Sequence, residues 1–349
     1  MNNKGEYGFG IIGCGVISNW HVQAVMASNG GYMVGAVDVK PEYSEAFCKK
    51  YNIRQFMSVE EMLACPEVDV VCICTPSGFH ARYALMAIEA GKHTLCEKPL
   101  ALTVEDCDKI IEARDNKHVR AGVVSQSRFR ETTKKMKQIV AEGKLGRVVT
   151  ADLFMKYYRS QEYYDSSKWR GTWELDGGGA LMNQGIHGVD AILNIMGPVK
   201  TVYGMARTLA RNIEVEDTAA AVLEFANGAL GLVQGTTSVH PGYPRLIEIS
   251  GTHGTVACTE NTFTKWDIDG EKVPDDIPFG DELEMAGAND PKNIDNEGHL
   301  TQINDFIEAI REDRRPTVDL REGRRAIELI TAIYESSRTM QPITLQSHM

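Results

Sequence analysis

The run Phe9 to Ile12 passes through Gly13-Cys14-Gly15-Val16-Ile17-Ser18 into a helical pattern from about Asn19 to Ser28, and no other stretch restricts the fold so tightly. A buried strand, a glycine turn and a helix start, in that order, bring backbone N–H groups and the positive end of a helix dipole to one point. That is the arrangement that holds a pyrophosphate. Ser18 stands where the third glycine of the pattern would fall and is small enough to keep helix and strand close. The next apolar run, Met33 to Val37, ends in Asp38, 25 residues after Gly13. A carboxylate there accepts from both hydroxyls of an adenosine ribose and repels a 2'-phosphate, which predicts NAD over NADP, although Lys40 pulls the other way.

The alternation then continues. Helical patterns at Glu42–Tyr51 and Val59–Ala64 precede a strand, Val68–Cys74, that is apolar on both faces, as a parallel strand covered on both sides must be. Thr75-Pro76-Ser77 ends it, and His80 opens a helix to Ala90. His80 is either a solvated helix-start residue or a neighbour of the nicotinamide. A short strand, His93–Cys96, delivers Glu97-Lys98-Pro99, after which come a helix, Val104–Asn116, and a last strand, Ala121–Ser125. A lysine at the end of such a strand points to where ligands sit in this kind of sheet, though a solvated surface charge is the plainer reading of a lone lysine. Pro99 stiffens the backbone behind it, and an X-Pro bond is where a cis peptide costs least. Residues 1–125 therefore read as an α/β Rossmann domain that binds NAD.

Composition narrows the partners. At 349 residues the chain has room for two domains, each with its own core. Its 48 acidic residues against 37 Lys and Arg give a net charge of -11, which argues against nucleic acid and anionic membrane as partners. No apolar run is long enough to span a bilayer and Met1 to Tyr7 is polar, so a soluble, cytoplasmic protein is expected. Eight cysteines, several inside apolar runs (Cys72, Cys74, Cys96), show no zinc spacing and read as buried, reduced thiols. No metal is expected.

From Glu131 the pattern changes, and residues 126–349 read as an α+β domain with a mostly antiparallel sheet that serves substrate binding and oligomerisation. A helix to about Glu142, the turn Gly143-Lys144-Leu145-Gly146 and a long strand, Arg147–Tyr158, lead to an aromatic loop, Tyr163–Trp173. Gly177-Gly178-Gly179 then opens a segment carrying Asn183, His187 and Asp190. Read as one helix ending before Gly197, it puts these three on one face, with Leu181, Ile192 and Leu193 packing elsewhere. His187 there is either a chemical group or a satisfied core histidine paired with Asp190. Strands follow at Thr201–Arg207, Thr218–Phe225, Ala229–Thr236, Arg245–Ser250 and Thr255–Cys258, then an irregular acidic loop from Gly270 to Asn296 and two helices, His299–Glu312 and Arg321–Thr339. The sheet's other face is expected to form a homo-oligomer, a dimer or tetramer.

The glycine turn, Thr75-Pro76 with His80, Glu97-Lys98-Pro99 and the Gly-Gly-Gly to Gly185-Ile186-His187 to Asp190 segment together resemble the glucose-fructose oxidoreductase, inositol dehydrogenase and rhizopine catabolism (Gfo/Idh/MocA) family, from Phe9 to about Leu345. The resemblance implies a nicotinamide-dependent dehydrogenase acting on a secondary hydroxyl of a sugar or cyclitol. It places Lys98 and His187 beside that hydroxyl, and puts Gly13, Gly15, Val16, Ile17, Asp38, Thr75, Pro76, His80, Glu97, Lys98 and Gln126 around NAD. Many members carry an aspartate where this chain has Asn183. An asparagine there recurs in sugar and sugar-nucleotide dehydrogenases, which favours a glycoside or nucleotide-linked pyranose, oxidised at C3, over free inositol.

The residue chemistry is consistent with this. Removing hydride from a carbinol needs a base for the hydroxyl proton and positive charge where alkoxide develops; His187 suits the first and Lys98 the second, with Asn183 beside them. Tyr157, Tyr163, Tyr164, Trp169 and Trp173 offer flat faces for a pyranose and Arg170 offers donors, while ordinary packing accounts for them equally well. A cyclitol dehydrogenase, and a non-catalytic NAD-binding regulator on the same fold, stay open as alternatives.

Overall fold

A computed structural model describes residues 6–280, 288 and 297–345. The chain divides into two compact units: Met1–Gln126 with Asp295–Arg324, and Ser127–Ile294 with Arg325–Met349.

In the first unit β1 (Tyr7–Ile12), α1 (Ser18–Ala27), β2 (Gly31–Val37), α2 (Pro41–Tyr51), β3 (Arg54–Gln55), α3 (Val59–Ala64), β4 (Val70–Ile73), α4 (His80–Glu89), β5 (His93–Cys96), α5 (Val104–Lys117) and β6 (Ala121–Val123) alternate as the pattern requires. The six strands form one sheet in the order β3-β2-β1-β4-β5-β6, every pairing parallel. The order reverses beside β1, which puts the glycine turn at the position where open α/β sheets bind ligands. Two helix starts follow directly from sequence: Ser58 accepts from the Glu61 amide at 3.0 Å, and Thr103 from the Asp106 amide at 3.1 Å.

The expectation that everything after residue 126 belongs to the second domain needs correction. The helix Glu297–Arg311 returns to the first unit, where Ile303, Phe306 and Ile307 join the core of Phe9, Ile11, Val22, Val25 and Leu95. Large apolar side chains stabilise by roughly 1.5–3 kcal/mol each when buried, so three on one face are enough to recruit a distant helix. Gln302 adds direction: its amide donates to Val123 O at 2.7 Å and accepts from Ser125 N at 3.0 Å, which holds the end of β6.

The second unit contains α6 (Glu131–Ala141), β7 (Val148–Lys156), α7 (Gln161–Asp165), α8 (Ile186–Met196), β8 (Val199–Arg207), β9 (Thr218–Phe225), β10 (Leu230–Thr236), β11 (Leu246–Gly251), β12 (Gly254–Thr259) and β13 (Thr262–Ile268). With the short C-terminal strand Ile343–Thr344 these make an eight-stranded sheet, antiparallel except where β10 runs parallel to β7. The strand β13 was not expected; the run Thr262–Ile268 mixes Lys265 and Asp267 with apolar residues, and only its pairing with β12 reveals it. The acidic stretch 270–296, expected to be irregular, lies outside the described residues beyond Gly280, Ala288 apart. One sheet face buries Val202, Ala221, Leu223 and Val233. The other exposes Tyr203, Val222 and Leu232, which stand side by side across β8, β9 and β10.

Candidate active site

In the first unit the glycine turn is built for close approach. Gly13 has φ 96°, and a Cβ on it would fall 2.7 Å from Cys74 O and 3.0 Å from Thr75 N, so a side chain is excluded by both conformation and space. A Cβ at Gly15 would meet nothing within 4 Å, and no side chain caps the start of α1, which leaves both open to a phosphate. Val16 is exposed and Ile17 is the N-cap. Asp38 stands at the end of β2 with one oxygen accepting from Cys14 N at 2.8 Å and the other from Lys40 N at 2.9 Å, which fixes the carboxylate against the turn. Lys40 therefore meets Asp38 through its backbone, while its ammonium lies 4.7 Å from the Tyr43 ring centroid. Thr75 Oγ1 and Gln126 Oε1 are buried without a hydrogen-bond partner among the described residues. Orphaned polar atoms of this kind cost free energy unless a ligand meets them, so the expected cofactor residues fit a dinucleotide.

His80 is neither solvated nor a simple helix start. It is buried, with Nδ1 2.6 Å from Pro99 O and Nε2 2.9 Å from Thr75 O, so it braces the loop after β4 against the loop after β5. Burial lowers its pKa and the two carbonyls oppose that lowering. The Lys98–Pro99 peptide is cis.

Glu97, expected at the cofactor, has its carboxylate turned inward. It is 5 % exposed; Oε1 lies 2.8 Å from His21 Nε2 and 4.0 Å from His299 Nε2, and Oε2 accepts from Lys98 N at 3.2 Å. Burial would raise this carboxyl, but the hydrogen bond and charge of His21, helped by His299 and Lys98, bring it down to about 2. Burial also disfavours a charged His21 ring, yet the Cys74 and Cys72 sulfurs and Glu97 hold its pKa well above the usual histidine value. Two histidines and a carboxylate are also metal-ligand types, and their ligand atoms all lie within 4.8 Å of one another. The 2.8 Å His21–Glu97 separation is that of hydrogen-bonded partners.

In the second unit the Gly-Gly-Gly segment does not open a regular helix. Ala180–Gly185 is π-helical and only then does α8 begin, so the 3.6-residue phase assumed for Asn183, His187 and Asp190 is broken between the first two. The glycines permit this. A Cβ on Gly178 would fall 2.3 Å from Tyr334 Oη, and one on Gly179 2.0 Å from Glu216 O. Asp190 receives Arg128 Nε at 2.7 Å and Nη2 at 2.5 Å in a buried, bidentate ion pair. His187 is half-buried in the first turn of α8.

Asn183 heads a different cluster, which local sequence did not suggest. Its amide donates to Asp176 Oδ1 and accepts from Gln184 Nε2 at 2.9 Å; Gln184 in turn meets Tyr163 Oη and Arg159 Nε, each at 2.9 Å. Arg170 stacks 4.5 Å from the Tyr163 ring centroid and 5.5 Å from that of Trp169, so three of the loop residues form one group within reach of Asn183's neighbours. Trp173 packs edge-on against Tyr334 at 5.5 Å. Tyr164 is buried and bonds Thr237 Oγ1 at 2.8 Å. Tyr157 is buried, with its ring 5.8 Å from the Arg159 guanidinium, so packing is what the structure shows for it. Glu216 is the other residue sequence reading missed: it accepts from Gly179 N at 2.9 Å, Leu181 N at 2.8 Å and Tyr334 Oη at 2.8 Å. The signal lay in the acidic pair Glu216-Asp217 opening a strand of small apolar residues.

A parallel sheet with a glycine-turn phosphate site, followed by a unit built on a mostly antiparallel sheet, defines a dinucleotide-dependent oxidoreductase. Residues 7–125 match the oxidoreductase family with an NAD-binding Rossmann fold, and residues 133–257 match the GFO/IDH/MocA C-terminal domain. The chain belongs to the Gfo/Idh/MocA oxidoreductase family, and NAD is its cofactor. It is 35 % identical to the WlbA dehydrogenase from Bordetella pertussis, solved in complex with NADH and UDP-GlcNAcA, with a TM-score of 0.87 over 98 % of this chain and 99 % of that one. It is 25 % identical to myo-inositol 2-dehydrogenase of Thermotoga maritima, covering 97 % of this chain and 98 % of that protein. It is 24 % identical to D-glucoside 3-dehydrogenase of Escherichia coli, covering 94 % and 95 %. The protein is therefore a sugar or inositol oxidoreductase rather than a non-catalytic regulator. No helix among the described residues is long and apolar enough to cross a membrane.

Proposed function

We propose that the protein oxidises the C3 hydroxyl of a pyranose carried on a nucleotide. The observation that carries this reading is full-length similarity, at 35 % identity, to a dehydrogenase crystallised with NADH and UDP-GlcNAcA, beside lower identity to the inositol enzyme. The glucoside 3-dehydrogenase supports the position oxidised. Asn183, in place of the aspartate that the family resemblance implies there, points to the same class of substrate.

NAD, when bound, accepts the hydride from the carbinol carbon. His187 takes the hydroxyl proton as general base, and the Lys98 ammonium stabilises the developing alkoxide; a ketone, NADH and a proton result. Around NAD, Gly13, Gly15, Val16 and Ile17 take the pyrophosphate and Asp38 the adenosine ribose, while Thr75, Pro76, Lys98 and Gln126 face the nicotinamide half. His80 and Glu97 act behind them, the first by bracing two loops and the second by holding the Lys98 backbone. Trp169 and Arg170 receive the sugar or its nucleotide. The exposed row Tyr203, Val222 and Leu232 is the surface through which copies of the chain associate. Eight free cysteines suit the reducing cytoplasm.

Purified protein with NAD should reduce the cofactor in the presence of UDP-linked pyranoses and give a product two hydrogens lighter. Faster turnover of free inositols than of every pyranose derivative would replace this reading with a cyclitol dehydrogenase. His187→Ala should lower kcat by about two to four powers of ten with NADH affinity unchanged. Lys98→Ala should do the same and raise KM.

A further inference from the structure

The side chains behind Asn183 form a chain of hydrogen bonds whose two ends cannot reverse their sense. At one end Arg159 donates from Nε to Gln184 Oε1 at 2.9 Å, and a guanidinium has no acceptor to offer. Gln184 is thereby turned so that Nε2 donates to Tyr163 Oη and to Asn183 Oδ1, both at 2.9 Å. Asn183, turned in its place, passes an Nδ2 hydrogen to Asp176 Oδ1. The other oxygen of Asp176 accepts from Gly171 N at 2.8 Å, and the residue is 1 % exposed. An ionised carboxylate only accepts, so each link runs from Arg159 toward Asp176. Neither amide can flip without setting donor against donor or acceptor against acceptor, and a buried mismatch of that kind is costly.

We propose that Asp176 is a positioning residue for the reaction: through Asn183 it holds one orientation of the amide beside the catalytic segment, and it is the reason position 183 carries an amide here and not a carboxylate. The inference rests on the reading of Asn183 and His187 as members of the active site. A carboxylate at 183 would lie at hydrogen-bond distance from Asp176, where two like charges cannot both persist. The acidic group of this cluster stands seven residues earlier, behind the amide.

The test is an exchange of the two side chains. Asn183→Asp alone opposes two carboxylates. Asp176→Asn alone must give its oxygen to Gly171 N–H, which leaves its amino group facing that of Asn183; flipping Asn183 only moves the clash to Gln184, which Arg159 holds. In the double variant Asp176→Asn/Asn183→Asp every link returns: the new amide accepts from Gly171 and donates to the new carboxylate, whose second oxygen accepts from Gln184. Each single variant should lose kcat with NADH affinity kept, and the double variant should exceed the product of the two single effects by at least about tenfold. A double variant no better than that product overturns the proposal. So does one that regains melting temperature but not kcat, since that outcome makes the pair structural only. Should Asp176→Asn fail to fold, a folded double variant with restored kcat still meets the test, and an unfolded or inactive one still fails it. His187→Ala, measured alongside, separates the two levels: retained activity there removes the active-site reading itself, whereas its loss with no rescue in the double variant removes only the role of Asp176.

Discussion

Among the described residues each unit buries one glutamate behind its chemical motif, and the two are held in opposite ways. Glu97, 5 % exposed, backs Lys98; Glu216, 3 % exposed, backs the segment of Asn183 and His187. Burial pushes both carboxyls up. At Glu97 the His21 hydrogen bond and charge, with His299 and Lys98, more than offset it and the value falls to about 2. At Glu216 the donors are two backbone amides and a phenol, and burial wins, taking it to about 7. Three neutral dipoles satisfy the geometry of a buried carboxylate without supplying the charge that keeps it ionised. The support behind Lys98 is therefore a fixed ion pair over the working pH range, whereas the support behind the segment of Asn183 and His187 titrates near neutrality.

The largest expected effect tests the ion pair. Glu97→Gln leaves His21 buried without its carboxylate and should destabilise the protein by about 3–5 kcal/mol. Urea denaturation at pH 6 measures it. A loss below about 1 kcal/mol would mean that the pair is not ionised, and the contrast with Glu216 would disappear.

The next effect is in the sign of the pH dependence. A carboxyl whose folded pKa is depressed contributes stability that is present above its ordinary pKa and lost below it, so Glu97 should give up roughly 3 kcal/mol as pH falls from about 4.5 toward 2. His21, raised by its partners, contributes stability that is full below about 6.5 and is lost as pH climbs through its folded value. Glu216 runs the other way from Glu97: its raised pKa favours the protonated folded form, so its contribution is greatest below about 4.5 and declines by roughly 3 kcal/mol as pH rises to about 7. The stability of wild type relative to Glu216→Gln should therefore fall between pH 5 and pH 8. A flat or rising difference would place both glutamates in the same class.

The smallest effect sharpens the contrast. Tyr334→Phe removes one of the three donors to Glu216, costs about 1 kcal/mol at neutral pH, and moves the Glu216 titration further up. Carboxyl carbon chemical shifts followed against pH would show the move, and a downward one would contradict neutral-donor support.

Much of the first unit was legible because its signals are local. The glycine turn, Asp38 after β2 and the apolar runs each lie within a few residues of what they determine, and the ends of the strands expected there fell within three residues, the two-residue β3 alone going unread. Lys98 and His187 stood out for the same reason, as reactive residue types inside recognisable punctuation. What the chain pattern could not carry was partner choice. Asp190 binds Arg128, 62 residues away; Glu97 finds His21 across 76 residues; Glu216 finds Tyr334 across 118. The helix Glu297–Arg311 rejoins the first unit because Ile303, Phe306 and Ile307 complete a core whose other members lie nearly 180 residues or more upstream. The π-helical turn at Ala180–Gly185 follows from Glu216 taking the Gly179 and Leu181 amides, and it resets the phase on which Asn183 had been aligned. Periodicity and turn chemistry depend on neighbours along the chain and can be read there. Ionisation, amide orientation and helix register in this protein depend on which distant group removes water and supplies the missing charge or hydrogen bond, and that is decided only when the chain is folded.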